Sequence, residues 1–396
     1  MQEKKSQKCQ NCRCEFAVGQ EDLQFYQKIK VPPPTWCPKC RLARRMVWRN
    51  ERMLYKRKCD APSHSEELIS IYSPEKKRRV YDQTFWWGDE WDPLQYGREY
   101  DFQVSFFLQF KKLLEEVPHI ALVNVNPVNS PYCNQATQNK NSYFVIGGDF
   151  NENVFYAGFG FHCKDSADIY WVSNSELNYE TIDCNKCSRL LFSRACEECH
   201  NSAFLLDCKN CNDCFGCVGL RNKSHYIFNV PYSKEEYKRQ MQIISLGSYK
   251  ELEKQHEKFS QHALQFPRRF VRMIRSINST GDELEEAKNC HSCFDVLGGG
   301  EDSKFIWRTS GGFKDCYDCD HIGLNSELGY ETSTMYPGNN VICSKNIFSG
   351  HHIQYSLQCY NSSHLFGCIG LRNKQYCILN KQYTKEEYEK LVPKII

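Results

Sequence analysis

The chain contains two copies of itself. NSELNYET at 174–181 returns as NSELGYET at 325–332, FGCVGLRNK at 215–223 as FGCIGLRNK at 366–374, and YSKEEY at 232–237 as YTKEEY at 383–388, always 151 residues apart. Gly147-Gly148 finds Gly298-Gly299 at the same distance. A frame kept from about residue 142 to 237 without insertion requires two units of one architecture and one set of loop lengths. Within each unit there is a shorter rhythm: in the first, short apolar runs (SYFVIGG, VFYAGFG, DIYWVS, LNYETI, RLLFS, SAFLLD, CFGCVGL, HYIFN) begin every 9 to 14 residues between Asn, Asp, Cys, Lys and Gly. Short strands at even spacing with turn residues between them point to a parallel β-solenoid, an irregular β-sandwich being the alternative. Two runs per turn predict a coil of roughly 21 to roughly 26 residues. Asn and Ser at equivalent corners are then turn-formers, and Cys is a small buried side chain.

The duplication also tests the most conspicuous cysteine motif, CKNCNDCFGC at 208–217, whose three-residue spacing resembles an iron–sulfur ligand run. In the second copy Cys208 and Cys217 persist as Cys359 and Cys368, but Ser362 and Leu365 stand for Cys211 and Cys214. Leucine cannot ligate, so ladder positions in a solenoid fit better than a cluster. Both copies keep a basic turn, Arg221, Asn222 and Lys223 matched by Arg372, Asn373 and Lys374, which reads as a corner or a paired contact. Cys184, Cys187, Cys196 and Cys199 have zinc-compatible spacing and form a weaker candidate site.

The N-terminal signal is stronger. Cys9-x2-Cys12 and Cys37-Pro-Lys-Cys40 are two knuckles of the kind that hold tetrahedral Zn2+. Cys59 with His64 raises a second, weaker site. Residues 1–60 carry fifteen Lys/Arg against six Asp/Glu, so the basic excess of a chain of formal charge +3 is concentrated there. Arg41 to Lys58 contains no Gly or Pro, and helical spacing puts Arg41, Arg44, Arg45, Arg49, Arg52 and Lys56 on one arc, with Trp48 and Tyr55 among them. Guanidiniums suit phosphates and aromatics suit bases, so this arc predicts a nucleic-acid-binding face on a treble-clef-like module. A helix docked on the next domain is the alternative.

These observations give a mainly β chain: a zinc-ribbon module with a basic helix (1–60), an aromatic connector and helix (61–130), a first solenoid half (131–232), a helical insert (233–285), a second half (286–382) and a capping helix (383–396). Ser233 with Glu236, Ser248 with Glu251 and Thr384 with Glu387 predict helix starts. The aromatic segment 85–102 predicts a clasp between domains. Twenty-four cysteines without an N-terminal apolar leader predict a reduced, cytoplasmic protein, and no run approaches the roughly 18 apolar residues of a membrane span.

CPKCR (37–41), RNERMLYKRKCD (49–60), WDPLQYGREYDF (91–102), STGD (279–282) and LRNKQYCILNKQYTKEEYEKLVPKI (371–395) resemble an uncharacterised zinc-ribbon, cysteine-rich repeat family of candidate-phyla bacteria. The resemblance implies a shared architecture and carries no activity. No phosphate loop, nucleophile elbow or H-E-x-x-H is present. The expectation is a non-enzymatic zinc protein that binds nucleic acid through its N-terminal module and a partner through the solenoid. A polysaccharide-binding or polysaccharide-cleaving β-helix and a structural scaffold are the alternatives.

Overall fold

The computed structural model describes residues 5–244 and 246–396; residues 1–4 of the N-terminal module lie outside them. Two β-solenoids account for most of the chain. In the first, strands from Tyr143–Ile146 to Ser224–Ile227 follow one another in parallel, each paired with the next. The register advances by twelve positions per coil, as in Val154↔Ser166 and Cys184↔Cys196, and side-chain bonds between coils keep the same step. The coil is therefore about half as long as two apolar runs per turn would make it. Each apolar run of the sequence is one whole coil rather than half of one.

The backbone explains the short coil. Every third residue has positive φ, as at Asn153, Tyr156, Phe159, His162 and Asp165, which turns the chain sharply after two extended residues. Four three-residue sides close a coil, and every third side chain points to the axis. Left-handed φ costs a non-glycine residue roughly 1–2 kcal/mol. Backbone bonds to the neighbouring coil offset it: His162 N donates to Asp149 O at 3.0 Å and Asn174 N to Phe161 O at 2.9 Å. Cys208, Cys211, Cys214 and Cys217 are the four inward residues of one coil, all buried. Cys359, Ser362, Leu365 and Cys368 fill the same four places in the second copy, also buried. The three-residue spacing is the length of one side.

The second solenoid runs from Met273–Ile274 to Gln375–Ile378, and over most of its length successive coils are offset by twelve or by thirteen positions. The longer coils carry an extra residue at a corner, where Gly298 and Gly299, or Leu324 and Asn325, both have positive φ. Each solenoid ends in an antiparallel pair, Tyr226↔Pro231 and Cys377↔Gln382.

Helices cover what the strands leave exposed. In the N-terminal module, hairpin β1–β2 (Lys5–Lys8, Glu15–Val18) leads to α1 (Gln20–Lys28) and α2 (Pro38–Met46). Phe25 of α1 stacks on Tyr317 at 3.9 Å, fixing the module to the second solenoid. Hairpin β3–β4 (Tyr55–Lys58, Glu67–Ser70) follows, then α3 (Gln83–Trp87) and α4 (Phe106–Glu116). The aromatic connector clasps the end of the second solenoid. Trp86 and Trp91 are buried with Tyr360, Phe366 and Ile369, and Trp86 Nε1 donates to Pro118 O at 3.0 Å. Helices α5 (Lys234–Ile243) and α6 (Tyr249–Ala263) pack on Phe192, Phe204, Phe215 and Phe228 of the first solenoid. α7 (Lys385–Ile395) closes the second behind a capping box of Thr384 and Glu387. Ser233 caps α5 through Glu236 N, whereas Ser248 precedes α6 without a side-chain bond. Among the described residues no helix is long and apolar enough to cross a membrane.

Candidate metal centre and cationic cleft

The N-terminal cysteines meet as their spacing requires. The first knuckle is the turn of β1–β2, and the second opens α2, with Cys37 as N-cap and Pro38 in the first position. Thiol groups of Cys9, Cys12, Cys37 and Cys40 lie within 4.8 Å of one another, a group able to hold a metal ion. Cys37 N donates to Cys9 Sγ at 3.2 Å, and Asn11 Nδ2 to Cys40 Sγ at 3.3 Å. The backbone donor favours a thiolate at Cys9. Burial pushes the Cys9 thiol up, but backbone N–H groups of Cys37, Cys12 and Asn11 outweigh it and bring the group down to about 6.

Cys184, Cys187, Cys196 and Cys199 do not converge in this way. They line two adjacent columns on two successive coils, each buried. Each thiol donates to the carbonyl two residues earlier: Cys184 to Ile182 O and Cys187 to Asn185 O at 3.3 Å, Cys196 to Arg194 O and Cys199 to Glu197 O at 3.4 Å. All four belong to the buried apolar cluster along the axis of the first solenoid, where they serve as core. All 24 cysteines are free.

The basic arc is divided, and most of it turns inward. The helix expected over 41–58 stops at Met46, and Tyr55–Lys58 is a strand. Arg41 donates to Asp318 Oδ2 through Nε at 2.9 Å and lies 1% exposed against a carboxylate that is 0% exposed. Arg45 bridges Asp318 at 3.2 Å and Asp320 at 3.3 Å. Arg49 binds Asp320 at 2.8 Å and Glu51 at 2.6 Å, and Ser333 Oγ donates to Asp320 Oδ2 at 2.6 Å. These guanidiniums hold the module on the second solenoid and are not offered to a polyanion. Beyond Met46 the chain is held by Arg49 on Asp320 and by Asn50 Nδ2 donating to Ile71 O at 2.8 Å. Arg44 stacks over Trp36 at 4.7 Å and reaches Glu331 at 2.5 Å. Trp48 and Lys56 are exposed and Tyr55 is half-buried.

Arg52 goes elsewhere. With Met46, Arg49 and Glu51 it lines a cleft of about 290 Å³ whose other walls are Tyr170 of the first solenoid and Trp307, Arg308 and His321 of the second. The Arg52 guanidinium carbon lies 5.7 Å from the Phe159 ring centre and 5.4 Å from that of Tyr170. That of Arg308 lies 4.8 and 5.3 Å from the same rings, and 4.3 Å from Trp307. Asp295 is 3.6 Å from Arg308 Nε, which makes no hydrogen bond, while another Arg308 nitrogen donates to the Tyr170 hydroxyl. Burial, then the charges of Arg52 and Arg49, bring Arg308 down to about 10. Burial and then Arg49 bring Lys345 down to about 8, and burial with Arg49 holds His321 neutral, well below its ordinary range. Arg49 is matched by Asp320 and Glu51, and Arg308 stands 3.6 Å from Asp295, so among the described cationic residues lining the cleft Arg52 is the one without an ion pair, set against aromatic walls. Sequence periodicity pointed to Arg52 but not to Arg308, Trp307 or Tyr170, which come from distant coils.

A wider groove of about 950 Å³ between the solenoids is lined by Arg221, Arg269 and Arg272. These are already matched, by Asp207 at 2.9 Å twice and by Glu283 at 2.8 Å. The retained basic turn thus has internal duties. Asn222 and Asn373 are left-handed corners, Asn210 Nδ2 donates to Asn222 Oδ1 at 2.7 Å, and Arg372 packs 5.3 Å from the Trp86 ring while donating to Gly88 O. Lys374 lies 4.0 Å from Asp92, and Lys223 6.0 Å from the Tyr226 ring centre.

No protein-family model and no curated protein matches the chain. Among solved structures, a chain named as an acetyltransferase of Desulfovibrio desulfuricans G20 is 12% identical. The match covers 60% of this chain and 58% of that one with a TM-score of 0.13, a likeness too slight to carry an argument.

Proposed function

We propose that the protein is a non-enzymatic binding scaffold of a reducing compartment, braced by zinc at Cys9, Cys12, Cys37 and Cys40, whose cleft at Arg52 and Arg308 takes a phosphate-bearing ligand. One observation carries this reading: two guanidiniums share the faces of Phe159 and Tyr170, and among the described residues Arg52 has no ion pair. Like charges held together at an aromatic, partly desolvated wall are relieved by a bound anion, and a phosphate matches their fork geometry. Trp307 and Tyr170 line the same cleft, so a ring attached to that phosphate would meet an aromatic wall. A nucleotide, free or at the end of a single strand, has both parts.

The brace rests on a separate observation. The second knuckle starts the helix whose Arg41 and Arg45 are buried on Asp318, so metal at the tetrad positions the wall that carries Arg49 and Arg52.

Calorimetric titration with inorganic phosphate, a nucleoside monophosphate and a short single-stranded oligonucleotide tests the reading. Binding should weaken about tenfold or more in Arg52→Met and in Arg308→Met, the worth of a charge-assisted hydrogen bond. Oligonucleotide bound in preference to mononucleotide, with steep salt dependence, identifies a strand as the ligand. No binding of any of the three, or binding indifferent to both substitutions, refutes it. A glycan array tests the polysaccharide alternative.

A further inference from the structure

Hairpin β3–β4 and the start of α3 bring together a second set of donors, remote in kind from the four-thiol site. Cys59 directly follows β3, His64 and Glu66 lie in the loop before β4, and Asp82 is the N-cap of α3. One sulfur, one imidazole nitrogen and two carboxylate oxygens lie within 4.8 Å of one another. His64 Nδ1 is 2.5 Å from Glu66 Oε1 and 3.3 Å from Asp82 Oδ2, and Cys59 Sγ is 3.9 Å from Asp82 Oδ2.

The set is held in place by parts that do not belong to it. Asp82 Oδ1 accepts from Thr84 N at 2.8 Å and Phe85 N at 3.1 Å, which caps α3 and leaves Oδ2 turned to the other three groups. Asp60 N donates to Val80 O at 2.9 Å, and Val80 N donates to Asp60 Oδ2 at 2.8 Å. These two bonds lock the segment after β3, which carries Cys59, to the short strand Val80–Tyr81 that runs into Asp82. The Phe85 ring meets the His64 ring edge-on at 4.9 Å and fixes its plane. Cys59 is 6% exposed, whereas His64 and Glu66 face solvent and leave an entry path.

We propose that Cys59, His64, Glu66 and Asp82 form a second divalent-metal site that takes Zn2+ in preference to Mg2+ or Ca2+. The donor set decides the metal. One sulfur and one imidazole disfavour Mg2+ and Ca2+, which take oxygen, while two carboxylates set it apart from an all-thiolate site. Two carboxylates converging on one histidine and one cysteine gather negative charge that a divalent cation neutralises. Four donors at this separation match a tetrahedral ion with bonds of about 2.0–2.3 Å after small adjustments. The site ties β3–β4 to α3 beside the clasp, at a distance in sequence from the first tetrad.

Elemental analysis and Co2+ titration of the full chain test the proposal. After chelation and dialysis the wild type should take up about two Co2+, one giving the intense sulfur-to-metal absorption of four thiolates and the other a much weaker band from a single thiolate. Cys37→Ser with Cys40→Ser should remove the intense band and keep the weak one. Cys59→Ser with His64→Ala should do the reverse and lower the metal content by about one. Cys59 packs in a core, so His64→Ala with Glu66→Gln, both solvent-facing, serves as the second variant and should lower the content equally with an unchanged circular dichroism spectrum. Uptake of a single ion by the wild type overturns the proposal. So does unchanged metal content in the His64→Ala, Glu66→Gln variant.

Discussion

Replacing Asp318 with alanine removes the carboxylate shared by two buried guanidiniums. Arg41 meets it through Nε and a terminal nitrogen, both at 2.9 Å, and Arg45 at 3.2 Å, with Asp318 fully buried and the arginines almost so. Breaking a buried pair by deleting one partner costs about 3–5 kcal/mol, because a charge is left desolvated without compensation. Arg45 keeps the Asp320 carboxylate at 3.3 Å, whereas Arg41 keeps Trp36 O at 2.6 Å and the Phe305 ring at 5.4 Å but no carboxylate, so the loss should fall mainly on Arg41. The N-terminal module should then detach locally while the solenoids stay folded. Hydrogen exchange measured by mass spectrometry on peptides from residues 36–49 should show protection reduced on the order of 10²- to 10³-fold, at 1.36 kcal/mol per tenfold. Arg41→Met with Asp318→Leu should recover most of it, since an apolar pair of similar volume replaces a buried ion pair at little cost. A reduction under about tenfold would refute the reasoning, as would equal loss of protection in the solenoid strands, because local docking would then not be what Asp318 supplies.

Removing metal from the first tetrad by chelation, or substituting Cys37→Ser and Cys40→Ser, should loosen residues 5–46 to proteolysis and leave the solenoid fragments intact on a gel. His119 is buried, with Nδ1 at 3.2 Å from Gln358 Oε1 and Nε2 beside Arg78; burial and then Arg78 lower it to about 4. The unfolded chain therefore binds a proton that the fold refuses between about pH 6.5 and 4. Stability should be fully present above pH 6.5 and fall by up to about 3 kcal/mol as pH drops through that window, and His119→Gln should flatten the slope in denaturant titrations at pH 7 and pH 5. Gly219→Ala and Gly367→Ala separate strain from crowding. Both glycines have φ near +70, but a methyl at Gly219 meets nothing within 4 Å, whereas at Gly367 it lies 2.7 Å from the Phe106 ring. The first should cost roughly 1–2 kcal/mol, and the second more, in denaturant midpoints.

The duplication, the β-solenoid, the caps at Ser233 and Thr384 and the tetrad were legible because each is written in local spacing, whereas Ser248 starts its helix without the expected side-chain cap. Coil length was not read correctly, although the signal was present. Cys208, Cys211, Cys214 and Cys217 recur every three residues, and Cys184, Cys196 and Cys208 every twelve, which states both the side and the coil. Counting apolar runs hid this, because aromatic residues at left-handed corners such as Phe159 and Trp171 lengthen each run without facing the axis. The direction of the basic arc could not be read at all. Helical periodicity says which residues share a face, and the Asp318 and Asp320 that decide where it points lie more than 270 residues further along the chain. The helix end at Met46 was missed for the same reason, since the contacts that hold the chain beyond it are tertiary and override propensity.

A coil of twelve residues whose two faces meet the same neighbours at every step gives the protein a ruler. Inserting or deleting one complete coil between the part of the second solenoid held by α1 and α2, near Tyr317 to Glu331, and the part held by the tryptophan clasp, near Tyr360, would alter their separation by a single strand spacing of about 4.8 Å. Every corner would keep its phase. The distance between the two grips can thus be changed in fixed increments while the grips themselves stay unchanged.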